Sequence, residues 1–261
     1  MKKRTLNFGV CVFAALLFLA PAISFAEDSP PPLAEIWMMV PKIGHGSELG
    51  KALSKHMAYR TEQADPRSRQ AYSPMLGDEL TRIGVRFCCF NWADLDSYRE
   101  WSESNSQVSE HFREHVIPHV EKWEHYFESI DWKSSNWSEK NAPYKFFAVT
   151  EYNIKPGHGA DFGEARDKII QIAINQGWAN DDRPWLWSKT IGGKPQESIV
   201  IPHANFASMD RGDESFFRFL AEQMGSEEAA ASLMKQFEGS VWSSEFQIWE
   251  HQEDFSMSDD D

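Results

Sequence analysis

Four of the nine histidines in this 261-residue chain fall within fifteen residues: His111, His115, His119 and His125. The first three stand at i, i+4 and i+8, a spacing that puts them on one face of a regular α-helix. Two imidazoles four residues apart can share a metal ion, and a single one can ligate haem iron. His111 and His115 are therefore the candidate catalytic residues. His111, His115 and His119 are weak candidates for a metal site, since no H-E-x-x-H pattern accompanies them. Glu110, Glu114 and Glu121 give the same segment the look of a solvated, charge-laced surface, and Pro118 is expected to bend the helix before His119.

A second chemical signal is repeated. Residues 42–52 read KIGHGSELGKA and residues 155–165 read KPGHGADFGEA, an offset of 113. The echo continues: Asn91-Trp92-Ala93 recurs as Asn205-Phe206-Ala207. Free backbone N–H groups at a helix start can take an anionic ligand group, which makes His45 and His158 candidate ligand-binding residues. The same glycines and histidines also suit a strand-to-helix corner. There, Gly46 and Gly159 would allow close approach, and Ser47 and Asp161 would cap the helices. Asn91, Trp92 and Trp187 complete the candidate ligand-binding set. Trp187 belongs to an aromatic group with Trp37, Tyr72, Trp123, Tyr126, Trp185, Trp242 and Trp249 that suits either a flat aromatic pocket or a buried core. Cys88 and Cys89 are adjacent; in an extended strand their side chains point to opposite faces, so they are expected not to bridge.

These residues sit on elements that the hydrophobic periodicity outlines twice. Strand patterns over 33–40, 68–76, 80–90 and 123–131 enclose helical ones over 47–60 and 94–120. Strands over 144–154, 185–191, 198–203 and 241–250 enclose helices over 161–176, 213–224 and 226–238. Each half thus reads β-α-β-β-α-β, the ferredoxin-like order. Such a sheet leaves one aromatic-rich face bare, and two copies in one chain can cover each other. The fold class expected is α+β: two tandem ferredoxin-like units packed sheet to sheet as an intrachain pseudo-dimeric α/β barrel. The boundaries are a leader at 27–33, repeat 1 at 34–131, a linker at 132–143, repeat 2 at 144–251 and an acidic tail at 252–261.

Residues 1–26 combine a basic start, an apolar run and small residues before a cut after Ala26, the pattern of a secretory signal peptide. The mature chain is expected to be periplasmic or secreted, with no membrane association after cleavage. The formal net charge of −14 disfavours phosphate backbones, so no nucleic-acid partner is expected.

The K-P-G-H-G strand end, the aromatic and alanine at the following helix start, and the element order together resemble the dimeric α/β-barrel superfamily. That superfamily includes antibiotic-biosynthesis-type monooxygenases and NIPSNAP-like proteins. The resemblance covers both halves and implies fold more than function, because the superfamily holds cofactor-free oxygenases, haem-binding enzymes, isomerases and proteins with no known activity. Most members of that superfamily form the barrel by dimerisation; this chain departs from them in carrying both halves, so a monomer with an internal pseudo-dimer is expected. The leading functional expectation is a small-molecule-binding protein that takes an apolar or aromatic ligand in the barrel cleft. The alternatives are an oxidoreductase of monooxygenase type, haem-linked or cofactor-free, and a non-catalytic interaction module. The cofactor is left open, with haem as the candidate named.

Overall fold

The computed structural model describes residues 30–210 and 214–258; the signal-peptide assignment over 1–26 falls outside them. In the first half, β1 (Leu33–Pro41) leads into α1 (Gly46–Glu62), followed by β2 (Gln70–Leu76) and β3 (Ile83–Phe90). Then come α2 (Trp92–Ser104), α3 (Ser106–His111) and β4 (Val120–Ile130). The second half runs β5 (Phe146–Ile154), α4 (Gly159–Asn175), β6 (Leu186–Ile191), β7 (Gln196–His203), α5 (Phe216–Met224), α6 (Glu227–Gly239) and β8 (Val241–His251). Eight antiparallel strands close into one barrel in the order β1-β3-β2-β8-β5-β7-β6-β4. Closure leaves no open sheet edge. Within the first half the strands lie β4-β1-β3-β2, and within the second β8-β5-β7-β6, so corresponding strands occupy corresponding places.

The period-2 alternation of the strands sends one row of side chains into the barrel and the other toward the helices. Tyr72 meets Phe147 edge to face inside the barrel, at 5.3 Å between ring centroids. Glu128 lies 3.8 Å from Arg86 there, and burial raises the pKa of both Glu128 and Glu151. On the opposite face each half has its own core. Leu49, Leu53 and Met57 of α1 pack on Met39, Ala71 and Val85 of the first sheet. Phe162, Ile169 and Ala173 of α4 pack on Trp187 with Leu233 and Phe237 of α6.

The GHG corners are turns. Gly44 and Gly157 adopt φ of 82° and 84°, a left-handed conformation that glycine reaches without a Cβ clash. Three expectations about these corners and their neighbours are corrected. Gly46 and Gly159 have no atom within 4 Å of a Cβ position, so close approach does not explain them. The N-cap residues of α1 and α4 are His45 and His158 rather than Ser47 and Asp161, and neither makes a side-chain cap. The Asp161 carboxylate instead meets His158 Nδ1 at 3.1 Å. Cys88 and Cys89 do pair as a disulfide. The peptide between them is cis, with the Cα atoms 3.0 Å apart, so the alternation assumed for a trans strand does not hold there.

The one-face expectation for His111, His115 and His119 fails at His119, which meets His45, while His111 and His115 keep their ring centroids 4.4 Å apart. After α3 the chain widens into a π-turn over Phe112–Val116 and tightens into a 3-10 turn over Ile117–His119. A change of pitch rotates successive side chains away from the α-helical stripe.

Candidate functional site

Between the helices and the sheet of the first half lies a cavity of about 300 Å³, at the lower end of ordinary small-ligand pockets. Its floor is β1, where Glu35, Trp37 and Met39 alternate onto the helix side. Leu53, His56, Met57 and Arg60 come from α1, Tyr98 and Ser102 from α2, and Phe112 and Arg113 from the π-turn. Ser109 of α3 completes the lining with Arg69, Val85 and Trp123. The wider pitch of the π-turn begins at Phe112, whose ring stands 6.5 Å from Trp37 and 6.1 Å from Trp123. Trp37 is stacked against Trp123 at 5.3 Å and against His125 at 3.9 Å. One wall is therefore a rigid aromatic surface.

The opposite end is charged. Glu35 Oε1 accepts from Trp37 Nε1 at 3.1 Å and meets His125 Nε2 at 2.9 Å. Its Oε2 accepts from Arg67 Nη1 at 2.8 Å and pairs with Arg69 Nη1 at 3.0 Å. Burial alone would raise the carboxyl pKa, but the His125 hydrogen bond and the Arg69 and Arg67 charges hold it far below the usual carboxylate range. Asp65, with no exposed side chain, binds Arg60, accepts from Tyr98 Oη at 3.3 Å, and takes the Arg67 backbone N–H at 3.0 Å. Tyr98 Oη in turn accepts from Arg60 Nη1 at 3.2 Å and Arg69 Nη2 at 3.1 Å. Arg67 lies 3.6 Å over the Tyr98 ring, a cation–π contact inside the packing.

His56 links this network to the histidine cluster. Arg60 Nε donates to His56 Nε2 at 2.9 Å, which leaves the proton on Nδ1, 3.2 Å from His111 Nδ1. Burial, the Arg60 charge and His111 push the His56 pKa down to about 2, so the ring is neutral. Burial and then His115 also lower His111. His111 further stacks on Tyr59 at 4.4 Å and meets the exposed His115 at 4.4 Å.

The residues singled out from the sequence are dispersed. His111 and His115 lie behind His56 rather than in the cavity wall. His119 meets His45, with the Nδ1 atoms 3.1 Å apart, at the first GHG corner. His158 is at the other corner. Asn91 starts α2, its N–H donating to Asp94 at 2.7 Å, and Trp92 is exposed beside Phe127. Trp187 is buried in the second core between Tyr152 and Phe162. Among the described residues no group of three or more His, Cys, Asp or Glu is placed to hold a metal ion. Sequence reasoning passed over Glu35, Arg60, Arg67, Arg69 and Tyr98. Two signals stood in the chain: a lone carboxylate in the apolar run LAEIWMMV, and two arginines at alternate positions in RSR, both facing inward.

No protein-family model matches the chain, and no curated protein sequence matches it. Solved structures do resemble it. A proposed monooxygenase from Lactobacillus acidophilus NCFM superposes with a TM-score of 0.51 at 12% identity, covering 85% of this chain and 94% of that one. A proposed monooxygenase from Fusobacterium nucleatum gives 0.53 at 8% identity, covering 85% and 93%. A mutant chlorite dismutase from Candidatus Nitrospira defluvii gives 0.50 at 8%, covering 87% and 94%. At such identities the likeness is one of fold: an α+β barrel.

Proposed function

We propose that this protein is an oxidoreductase of the monooxygenase type, whose small aromatic substrate lies in the helix–sheet cavity of the first half. The observation that carries the reading is that cavity itself, walled by Trp37, Phe112 and Trp123 and closed at one end by a hydrogen-bonded polar network. A preformed apolar site with a few fixed polar groups orients a ring and keeps bulk water from it. The monooxygenase descriptions of two structural neighbours favour oxygen chemistry over ligand storage. The location differs from the barrel cleft expected from the sequence, since the cavity opens between helices and sheet.

The lining does not fit haem. His56 is the one histidine in it, and both its ring nitrogens are engaged, by Arg60 and His111. No step is therefore assigned to iron. The Trp37 and Phe112 rings hold the substrate's π-face, while Arg60 and Tyr98 fix the polar end through Asp65.

The matching strand orders of the two halves support tandem ferredoxin-like units in the manner of NIPSNAP-like and antibiotic-biosynthesis-type proteins, joined in one monomeric chain. The leader pattern supports export.

Oxygen uptake by the purified protein with polycyclic phenols such as 1-naphthol tests the reading. Protein-dependent uptake is expected, and Ser109→Trp at the exposed rim of the cavity should reduce it more than about tenfold by blocking entry. Binding of these phenols without any oxygen uptake would return the protein to the ligand-binding class.

A further inference from the structure

The second half of the chain crosses back onto the first. Beyond His251 the chain leaves β2 in a 3-10 turn over Glu253–Phe255 and then returns to it. Before the turn, Gln252 N–H donates to the Ala71 carbonyl at 2.8 Å; after it, Met257 N–H donates to the Arg69 carbonyl at 2.8 Å. Between them, Ser256 Oγ accepts the Ala71 N–H at 2.9 Å and donates to the Gln252 carbonyl at 2.8 Å. The hydroxyl thus satisfies the strand N–H that the turn leaves open. The same clasp recurs where β4 runs onto the second half. Asp131 N–H donates to the Trp187 carbonyl, Asn136 N–H to the Trp185 carbonyl, and Trp187 N–H to Ser135 Oγ, each at 2.9 Å.

The two clasps differ in what they insert. Phe255 of one stands where the other has Ser134. The Phe255 ring lies against Gly50 of α1, where a Cβ would come within 2.7 Å of it. Gly163, at the matching point of α4, has no atom within 4 Å of a Cβ position. Glycine weakens a helix interior relative to alanine, so the ring accounts for Gly50 where helix preference does not. Phe255 and Met257 pack on the core that contains Leu53 and Met57, which line the cavity from α1. Arg69, whose carbonyl Met257 holds, lines the cavity from β2's side and donates to Tyr98 Oη. The segment therefore grips two sides of the cavity without lining it.

We infer that Gln252–Met257 is a strap through which the second half positions the ligand cavity of the first, with Phe255 as the positioning residue. The Phe255 ring sets where α1 lies, and Met257 fixes the backbone that carries Arg69. The ligand part of this inference rests on the cavity assigned above; the mechanical part rests on the clasp alone. A cavity wall displaced by a fraction of an ångström loses ligand affinity steeply, so a residue outside the cavity controls binding within it.

Matched changes in the two halves of the full chain separate positioning from general stability. Phe255→Ala and Gly50→Ala should each weaken the binding of 4-nitrophenol, followed by tryptophan quenching, about tenfold. Gly163→Ala, the same change in the second half, should leave it within about twofold. Hydrogen exchange tests the strap without a ligand. Phe255→Ala and Ser256→Ala should speed exchange over 53–60 of α1 and at the Ala71 amide, whereas Ser135→Ala should speed it at the Trp187 amide and leave 53–60 unchanged. Affinity retained in Phe255→Ala, affinity lost equally in Gly50→Ala and Gly163→Ala, or exchange over 53–60 that Phe255→Ala does not alter would each overturn the inference. Oxygen uptake that is the same in wild type and Phe255→Ala would refute the strap and leave the oxidoreductase reading in place. Faster exchange over 53–60 in a protein that binds no phenol would do the reverse.

Discussion

Where β1 carries Glu35, the corresponding position of β5 carries Ala148; where α1 carries His56 and Arg60, α4 carries Ile169 and Ala173. The two halves have one strand order and one kind of corner, yet they fill the space between helices and sheet differently. In the second half Phe162 packs on Phe237 at 4.7 Å between ring centroids, with Tyr152 and Trp187 around it. In the first half Leu49 stands at the position of Phe162, and the smaller side chain, the π-turn and the ion network leave a cavity. The difference teaches that two halves with one strand order can fill the space between helices and sheet in two ways, with a solid aromatic core in one and a charged network beside a cavity in the other.

The largest effects should come from breaking each filling in its own way. Phe162→Ala opens a hole in the second core and should cost about 3–5 kcal/mol in urea denaturation. Ligand binding in the first half should survive wherever the variant is folded. Glu35→Leu leaves Arg67 and Arg69 buried without their carboxylate and should cost about 3–5 kcal/mol by the same measurement. Equal loss of ligand binding in both variants would argue against separate roles for the halves.

Acid should reveal the next difference. His56 is held below its ordinary value of 6.5, at about 2. In the unfolded chain it takes up a proton below pH 6.5, while in the folded protein it does not. Its contribution to stability is therefore present above pH 6.5 and lost as pH falls, by up to about 1.4 kcal/mol per pH unit. The depressed Glu35 acts in the same direction, but only below the ordinary carboxylate value of 4.5. Between pH 6.5 and 4.5 the lowered His111 adds to the same slope and the raised Glu128 and Glu151 oppose it, so the share of His56 is read as the flattening that His56→Gln should produce in denaturation curves taken across that window. An unchanged slope would remove His56 from the buried network. The smallest effect is expected on the outer wall of the second half, where Trp242 is 77% exposed. Trp242→Ala should shift stability by less than about 0.5 kcal/mol and leave ligand binding intact.

Element positions were legible in the sequence because they depend on local periodicity. The first strand, expected over 33–40, runs from Leu33 to Pro41, and the helix expected over 161–176 runs from Gly159 to Asn175. The GHG corners were legible for the same reason. The site was not. Glu35 and Arg67 stand 32 residues apart in the chain, and only the β1–β3 pairing with the turn after α1 brings them together. The histidines of 111–125 drew attention by their spacing. That spacing assumes one helical pitch, whereas the chain passes from α to π to 3-10 across them. His125 reaches the cavity through Glu35 and Trp37, while His111 is joined to it through His56. The vicinal cysteines were misread because the alternation rule presupposes a trans peptide.

That the ligand site lies in the first half and not in the second is tested most directly by placing the quenching. With 4-nitrophenol as the titrant, whose nitro group quenches indole, the fluorescence change should fall sharply in Trp37→Phe, whose indole lines the cavity, and persist in Trp187→Phe, whose indole is sealed in the second core. Quenching retained in Trp37→Phe and lost in Trp187→Phe would contradict the assignment.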